Sequence, residues 1–259
     1  MIAMELIDTH CHLTFKPLAD NIEAVLERSK AAGVTGWVTV GTDLLHSKKS
    51  IELADRFENV YVSAGIHPHD SKHVTKDTLS ELRKLLQNKK VVAIGETGLD
   101  FHYDFSPPEV QKQVFIQHLR LANELNLPVI VHCREAFDET MEILSQQGSN
   151  IEKLVFHCFT GNTEQAETII EHGFYISFTG AVTFKNAEQT RASAKQVLLE
   201  RLMIETDCPY MSPEPVRKQK VNEPALMIHT ANFLADLKGM SVEKFADAVS
   251  GTSMEFFGI

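Results

Sequence analysis

The sequence predicts an α/β chain folded as a (β/α)8 TIM barrel, a single domain over residues 1–259. Three observations lead there. Short β-rich runs alternate with amphipathic helical segments along the whole chain, and the runs number eight. Eight such units in 259 residues match one closed parallel barrel, for which about 250 residues is usual. No Ser/Gly tract, long charge block or copied repeat marks a linker. An open doubly wound sheet, the structural rival, normally carries a Gly-rich phosphate loop after its first strand, and the segment DTHCHLTF at 8–15 has no glycine.

The first run, MELID (4–8), leads into His10 and His12. In an extended strand these two point the same way and Cys11 points the other. In PLADNIEAVLERSKAAG (17–33), Leu18, Ile22, Val25, Leu26 and Ser29 share a helical face; Pro17 suits the first turn and Gly33 the stop. GWVTV (36–40) is the second run, and VYVSAGI (60–66), the third, is followed by His67 and His69. VVAIG (91–95) is followed by Glu96. A helix opens at SPPE (106–109), where Ser106 and Glu109 have capping-box spacing. Val110, Val114, Leu121, Ala122 and Leu125 continue it, and it ends before Pro128. PVIVH (128–132) ends in His132, KLVFH (153–157) in His157, FYISFTG (174–180) is the seventh run, and RLMIE (201–205) precedes Asp207.

In a barrel all C-terminal strand ends meet at one mouth, so these ligand-type residues are expected to gather there. Burying carboxylates and imidazoles together is unfavourable by several kcal/mol unless cations compensate them. His, Glu and Asp suit Zn, Mn, Fe or, with more oxygen, Mg. Six candidates (His10, His12, Glu96, His132, His157 and Asp207) exceed the needs of one tetrahedral ion, so two divalent metal ions (Mg, Mn or Zn) with Glu96 as the bridge is the economical arrangement. His10, His12 and Asp207 would complete one ion, and His132 and His157 the other. The ions would activate a water whose proton Asp207 accepts, which makes Asp207 and Glu96 the catalytic pair.

Cys11, Cys133, Cys158 and Cys208 each adjoin a proposed ligand, but the strand period turns an immediate neighbour away, so they are read as packing residues. His46, His73, His118 and His172 are read as solvated, and the spacing assigns no role to His102 or His229. Arg134 has the planar fork to meet a substrate anion. Asn222 and Glu223 are candidates to cap the helix at NEPALM, above all Glu223.

A net charge of −10 argues against gripping long nucleic acid through a broad basic face. It leaves room for a small anionic group held by cations. Four cysteines without a C-x-x-C pair fit a reducing compartment. No apolar stretch approaches the roughly 20 residues of a membrane span, and MIAMELID is unlike a signal peptide, so a cytoplasmic chain is expected.

Together IDTHCHL, GIHPHD, IGETGLDF, PVIVHCRE, VFHCFTG, IETDCPYMSP and NEP resemble the TatD family of metal-dependent deoxyribonucleases, within the amidohydrolase-like barrels. The resemblance runs from Ile7 to about Gly258. It implies a (β/α)8 barrel, two divalent ions, and ligand roles for His10, His12, Glu96, His132, His157 and Asp207. It also implies that His67 contacts the scissile phosphate or a neighbouring group. Two positions depart from the family pattern: Val221 precedes Asn222 where a basic residue is common, and Cys208 follows Asp207 where Ala or Ser is more usual.

The expected activity is deoxyribonuclease cleavage of nucleic-acid phosphodiesters, exonucleolytic on single-stranded or frayed ends. Expected partners are DNA ends or short oligonucleotides and, in some relatives, tRNA, with no membrane and no obligate protein partner. The alternatives are ester hydrolysis on D-aminoacyl-tRNA and a non-catalytic metal-binding scaffold. A small-molecule amidohydrolase is disfavoured, because many such barrels bridge their metals with a modified lysine on strand four, where this chain has Glu96.

Overall fold

The structure, a computed structural model, describes residues 5–103, 105–148 and 151–259. Met4, at the start of the first expected strand, lies outside the described residues, as does the rest of MIAM. In chain order the elements are β1 (Leu6–Cys11), α1 (Ile22–Ala31), β2 (Val34–Gly41), α2 (Leu44–Ala54), β3 (Val60–Ala64), α3 (Lys76–Leu85), β4 (Val91–Asp100) and α4 (Pro108–Leu125). Then follow β5 (Val129–Arg134), α5 (Phe137–Gln147), β6 (Leu154–Phe156), α6 (Thr163–Glu171), β7 (Tyr175–Phe178), α7 (Glu188–Gln196), β8 (Leu202–Ile204), α8 (Met227–Lys238) and α9 (Val242–Phe257). Eight strands in chain order form one sheet, and the pairings are parallel. With a helix after each strand, this is the expected (β/α)8 barrel. No helix among the described residues is long and apolar enough to cross a membrane.

The chain divides into two compact units, Met1–Thr39 with Cys158–Ile259, and Val40–His157. In the first, every residue of β1, β7 and β8 is buried, as expected of strands covered on both faces. The ends of β1 and β8 are joined by backbone hydrogen bonds: the Asp207 amide donates to the His10 carbonyl and the His12 amide to the Cys208 carbonyl, each at 2.9 Å. Helix α1 buries Ile22, Val25, Leu26 and Ser29 as its spacing predicts, and Gly33 follows it with φ +90. Pro17 lies ahead of the helix and not in its first turn, because a short 3-10 turn, Ala19–Asn21, intervenes.

In the second unit β4 runs five residues past its expected end and pairs with β5, Gly98 opposite His132 and Asp100 opposite Arg134. The close approach demands glycine. Gly98 has φ +135, and a Cβ there would sit 2.1 Å from the His132 carbonyl oxygen. Helix α4 buries Val114, Leu121 and Ala122 on the expected face, joined by Phe115, His118 and Leu119. It has Pro107, not Ser106, at its N-cap, and it has no capping box. Ser106 is engaged elsewhere, donating to the His69 carbonyl (2.6 Å) and accepting from the Lys72 amide (3.1 Å), while Glu109 pairs with Lys112 at 3.0 Å.

Candidate metal centre

Because β4 continues through Asp100, Glu96 and Asp100 lie four residues apart and share a face of the strand. Both meet His132 from β5. Its Nδ1 is 2.8 Å from Glu96 Oε1 and its Nε2 is 2.9 Å from Asp100 Oδ2. His157, just after β6, brings Nε2 to 2.8 Å from the same Glu96 oxygen and 3.4 Å from His132 Nδ1. Burial opposes protonation of His132, but the Asp100 and Glu96 carboxylates outweigh it and raise its pKa. Burial likewise pushes the Asp100 carboxyl up, and bonds from His132, the Tyr103 amide and His69 hold it well below the usual range.

His67 caps the turn after β3, accepting the His69 amide at Nδ1 (3.1 Å), and its Nε2 lies 3.4 Å from Glu96 Oε1. Burial lowers its pKa to about 4 despite Glu96. The ring is therefore neutral at pH 7. With Nδ1 accepting, its one proton sits on Nε2. Nitrogen and oxygen atoms of His67, Glu96 and His132 lie within 4.8 Å of one another, close enough to hold an ion. The tautomer argues His67 out of that set, since a protonated Nε2 donates a hydrogen bond and does not ligate. Glu96, His132 Nδ1 and His157 Nε2 are the better donor set. Asp100, taking the Nε2 proton of His132, fixes the tautomer that leaves Nδ1 as a lone-pair donor.

The other unit carries its own cluster. His10 and His12, two apart on and just after β1, stand with ring centroids 5.0 Å apart. Their Nε2 atoms approach one oxygen, Asp207 Oδ1, at 3.9 and 3.3 Å. Asp207 reaches it by turning through φ +52, a left-handed conformation that Asp tolerates better than most residues. His12 stacks on Phe15 (4.7 Å) and meets Tyr210 edge-on. Two fully buried acids frame this end of the strands. Glu205 accepts from the Cys158 amide (2.7 Å) and Ser177 Oγ (2.5 Å). Asp8 accepts from Thr206 Oγ1 (2.6 Å) and the Thr206 amide (2.9 Å), and burial pushes its pKa up to about 7.

Thus His67, Glu96, His132 and His157 gather in one unit, and His10, His12 and Asp207 in the other. Arg134 is exposed, its guanidinium 4.8 Å over the Tyr103 ring. The sequence sets no expectation for Asp100, whose parity with Glu96 in a strand drawn five residues longer is the available signal; His69, expected after the third strand but without a role, meets Asp100 Oδ2 at 2.9 Å. His118 corrects the solvated reading, for it is fully buried. It bonds the Val114 carbonyl through Nδ1 (2.8 Å) and accepts the Ile66 amide at Nε2 (3.0 Å). Glu223 caps nothing with its side chain; it pairs with Arg28 at 2.5 Å. Asn222 is buried, tying the Thr206 and Tyr210 carbonyls together. Cys11 and Cys208 are buried, and Cys133 and Cys158 half-buried.

The donor chemistry fits a divalent cation. Imidazole nitrogens and a carboxylate oxygen converge within bonding reach of a common centre, and a second carboxylate supports one imidazole from behind. The comparisons agree. Residues 7–258 match the family model described as TatD related DNase. The metal-dependent hydrolase YabD of Bacillus subtilis (strain 168) is 39% identical, covering 98% of this chain and 99% of that protein. The 3'-5' ssDNA/RNA exonuclease TatD of Enterobacter lignolyticus is 35% identical, over 98% of this chain and 99% of its own. The crystal structure of YJJV, a TatD homologue from Escherichia coli K12, superposes with a TM-score of 0.94 at 30% identity, covering 100% of both chains. Fold, donor clusters and relatives converge: the chain belongs to the TatD-related DNase family and is a metal-dependent hydrolase.

Proposed function

We propose that this hydrolase cleaves phosphodiester bonds of nucleic acid, exonucleolytically on single-stranded or frayed ends, with two divalent ions held by His10, His12, Glu96, His132, His157 and Asp207. The observation that carries the reading is the convergence of His132 Nδ1 and His157 Nε2 on Glu96 Oε1, each at 2.8 Å, in a chain matching a DNase family over residues 7–258. Relatives named 3'-5' ssDNA/RNA exonuclease support the choice of a strand end. The net charge of −10 favours a substrate gripped at few phosphates over a long duplex.

Divalent ions, when bound, lower the pKa of a water and stabilise charge on the phosphoryl group. The chain's own groups do the rest. Asp207 takes the proton of the attacking water. His67 donates its Nε2–H to a phosphoryl oxygen, as its neutral tautomer allows, and Arg134 pairs with a neighbouring phosphate. A new P–O bond forms from the water and the bond to the departing sugar oxygen breaks; that oxygen takes a proton from bulk water, to which Asp207 releases the one it accepted.

The test uses purified protein with manganese or magnesium on end-labelled single-stranded DNA and RNA oligonucleotides, and in parallel on D-Tyr-tRNA. Progressive shortening of the oligonucleotides is expected. Hydrolysis of the aminoacyl ester alone overturns the nuclease reading in favour of deacylation, and metal binding without turnover on any of these substrates favours a scaffold.

A further inference from the structure

Immediately after β4 the chain exposes two aromatic rings that the catalytic proposal leaves unused. Tyr103 is 40% and Phe105 52% exposed. Single exposed apolar residues are ordinary. These two are a stacked pair, their centroids 5.3 Å apart and planes 11° from parallel. The Arg134 guanidinium lies 4.8 Å over Tyr103. His69 meets both rings edge-on, at 5.4 Å for Tyr103 and 4.8 Å for Phe105.

The same residues are tied to the candidate centre. His69 Nε2 and His132 Nε2 both bond Asp100 Oδ2 at 2.9 Å. The other oxygen of Asp100 accepts the amides of His102 and Tyr103, each at 3.0 Å. One buried carboxylate therefore holds a proposed metal ligand, the ring that abuts the aromatic pair, and the turn that presents Tyr103. Asp100 thereby fixes the backbone of Tyr103 relative to His132, and Phe105 stacks on the ring so placed.

We infer that Tyr103 and Phe105 form a stacking platform for an unpaired nucleobase of the substrate, with Arg134 pairing the phosphate beside that base. The inference rests on the nucleic-acid reading of the site and names the form of substrate it takes. Inside a duplex both faces of a base are covered by its neighbours; only an unpaired or terminal base offers a face to a protein ring. Stacking of this kind is indifferent to base identity, since every base has a π-face. Arg134 serves both halves of the recognition: its plane rests on Tyr103, and its N–H groups, which meet no carboxylate among the described residues, can pair a phosphate.

The test uses two phosphorothioate pentamers that resist turnover, one of thymidine and one of abasic sugar with the same number of phosphates, each with a 5'-fluorescein. Both are titrated in the presence of manganese. Fluorescence anisotropy is expected to show the thymidine oligomer bound about tenfold more tightly than the abasic one. Tyr103→Ala with Phe105→Ala abolishes that preference and leaves abasic binding unchanged, whereas Arg134→Ala weakens both oligomers alike. Phe105→Trp keeps the ring and adds a reporter, because Trp37, the chain's one tryptophan, is buried. Its emission is quenched by the thymidine oligomer and not by the abasic one. Equal affinity for the two oligomers, an unchanged preference in the double alanine variant, binding without quenching, or no binding of either oligomer overturns the platform. Failure of the nuclease reading shows separately, as intact unmodified oligonucleotide alongside a preserved preference for bases.

Discussion

Asp100 illustrates how one side chain sets the chemistry of others. By accepting from His132 Nε2 at 2.9 Å it decides which imidazole nitrogen keeps the proton, and hence which nitrogen can face a cation. Asp100→Asn keeps the shape and removes the charge. It should weaken manganese binding by roughly 10–100-fold, read by calorimetry, with circular dichroism unchanged; unaltered affinity would detach Asp100 from the centre. His118 makes a separate prediction about pH. Burial lowers its pKa from 6.5 to about 4, so between those values the unfolded chain binds a proton that the folded ring refuses. Its contribution is complete above pH 6.5 and is lost as pH falls toward 4, on the order of 3 kcal/mol. His118→Gln should therefore be less stable than the parent at pH 7.5, and the gap should narrow by pH 5 in urea titrations. A constant gap contradicts the assignment.

At the scale of elements, β4 matters most, because its extension carries both Glu96 and Asp100 to β5. The path exists only because Gly98 lets the strands approach. Gly98→Ala meets the His132 carbonyl in a backbone conformation that favours glycine, and about 3 kcal/mol of stability should be lost. Manganese affinity should fall with it. Chemical denaturation and calorimetry on the one variant check both. The eight strands were legible in advance because short β-rich runs between amphipathic segments have few other readings. That His10, His12, Glu96, His132, His157 and Asp207 stand in the C-terminal half of a strand or just past it was legible because each follows or ends such a run. Asp100 was not, since the β-rich run ends at Gly95 in the sequence and the extension to Asp100 comes from pairing with β5. Ser106 departs from its expected cap for a related reason: local capping rules compete with tertiary partners, and Ser106 found His69 and Lys72, while Pro17 stands ahead of α1 because the turn Ala19–Asn21 intervenes. His118 was read as solvated because spacing reveals which positions face inward less well than it reveals the helix, and its two backbone partners come from distant packing.

For the whole molecule, the fold supplies strand ends and the ends supply chemistry. A cation that binds the folded chain and not the unfolded one must stabilise it by mass action, about 2.7 kcal/mol at one hundred times its dissociation constant. Thermal melts with and without manganese should show that rise in the parent chain and not in Glu96→Gln. A net charge of −10 also implies that few phosphates are gripped, so affinity for oligonucleotides should fall only gently with salt. The most direct measurement follows a 5'-labelled single-stranded oligonucleotide while metal-free protein is titrated with manganese. A ladder of products shortening from the far end is expected, growing in proportion to bound metal and absent in Glu96→Gln. Full metal occupancy with the oligonucleotide intact would contradict it.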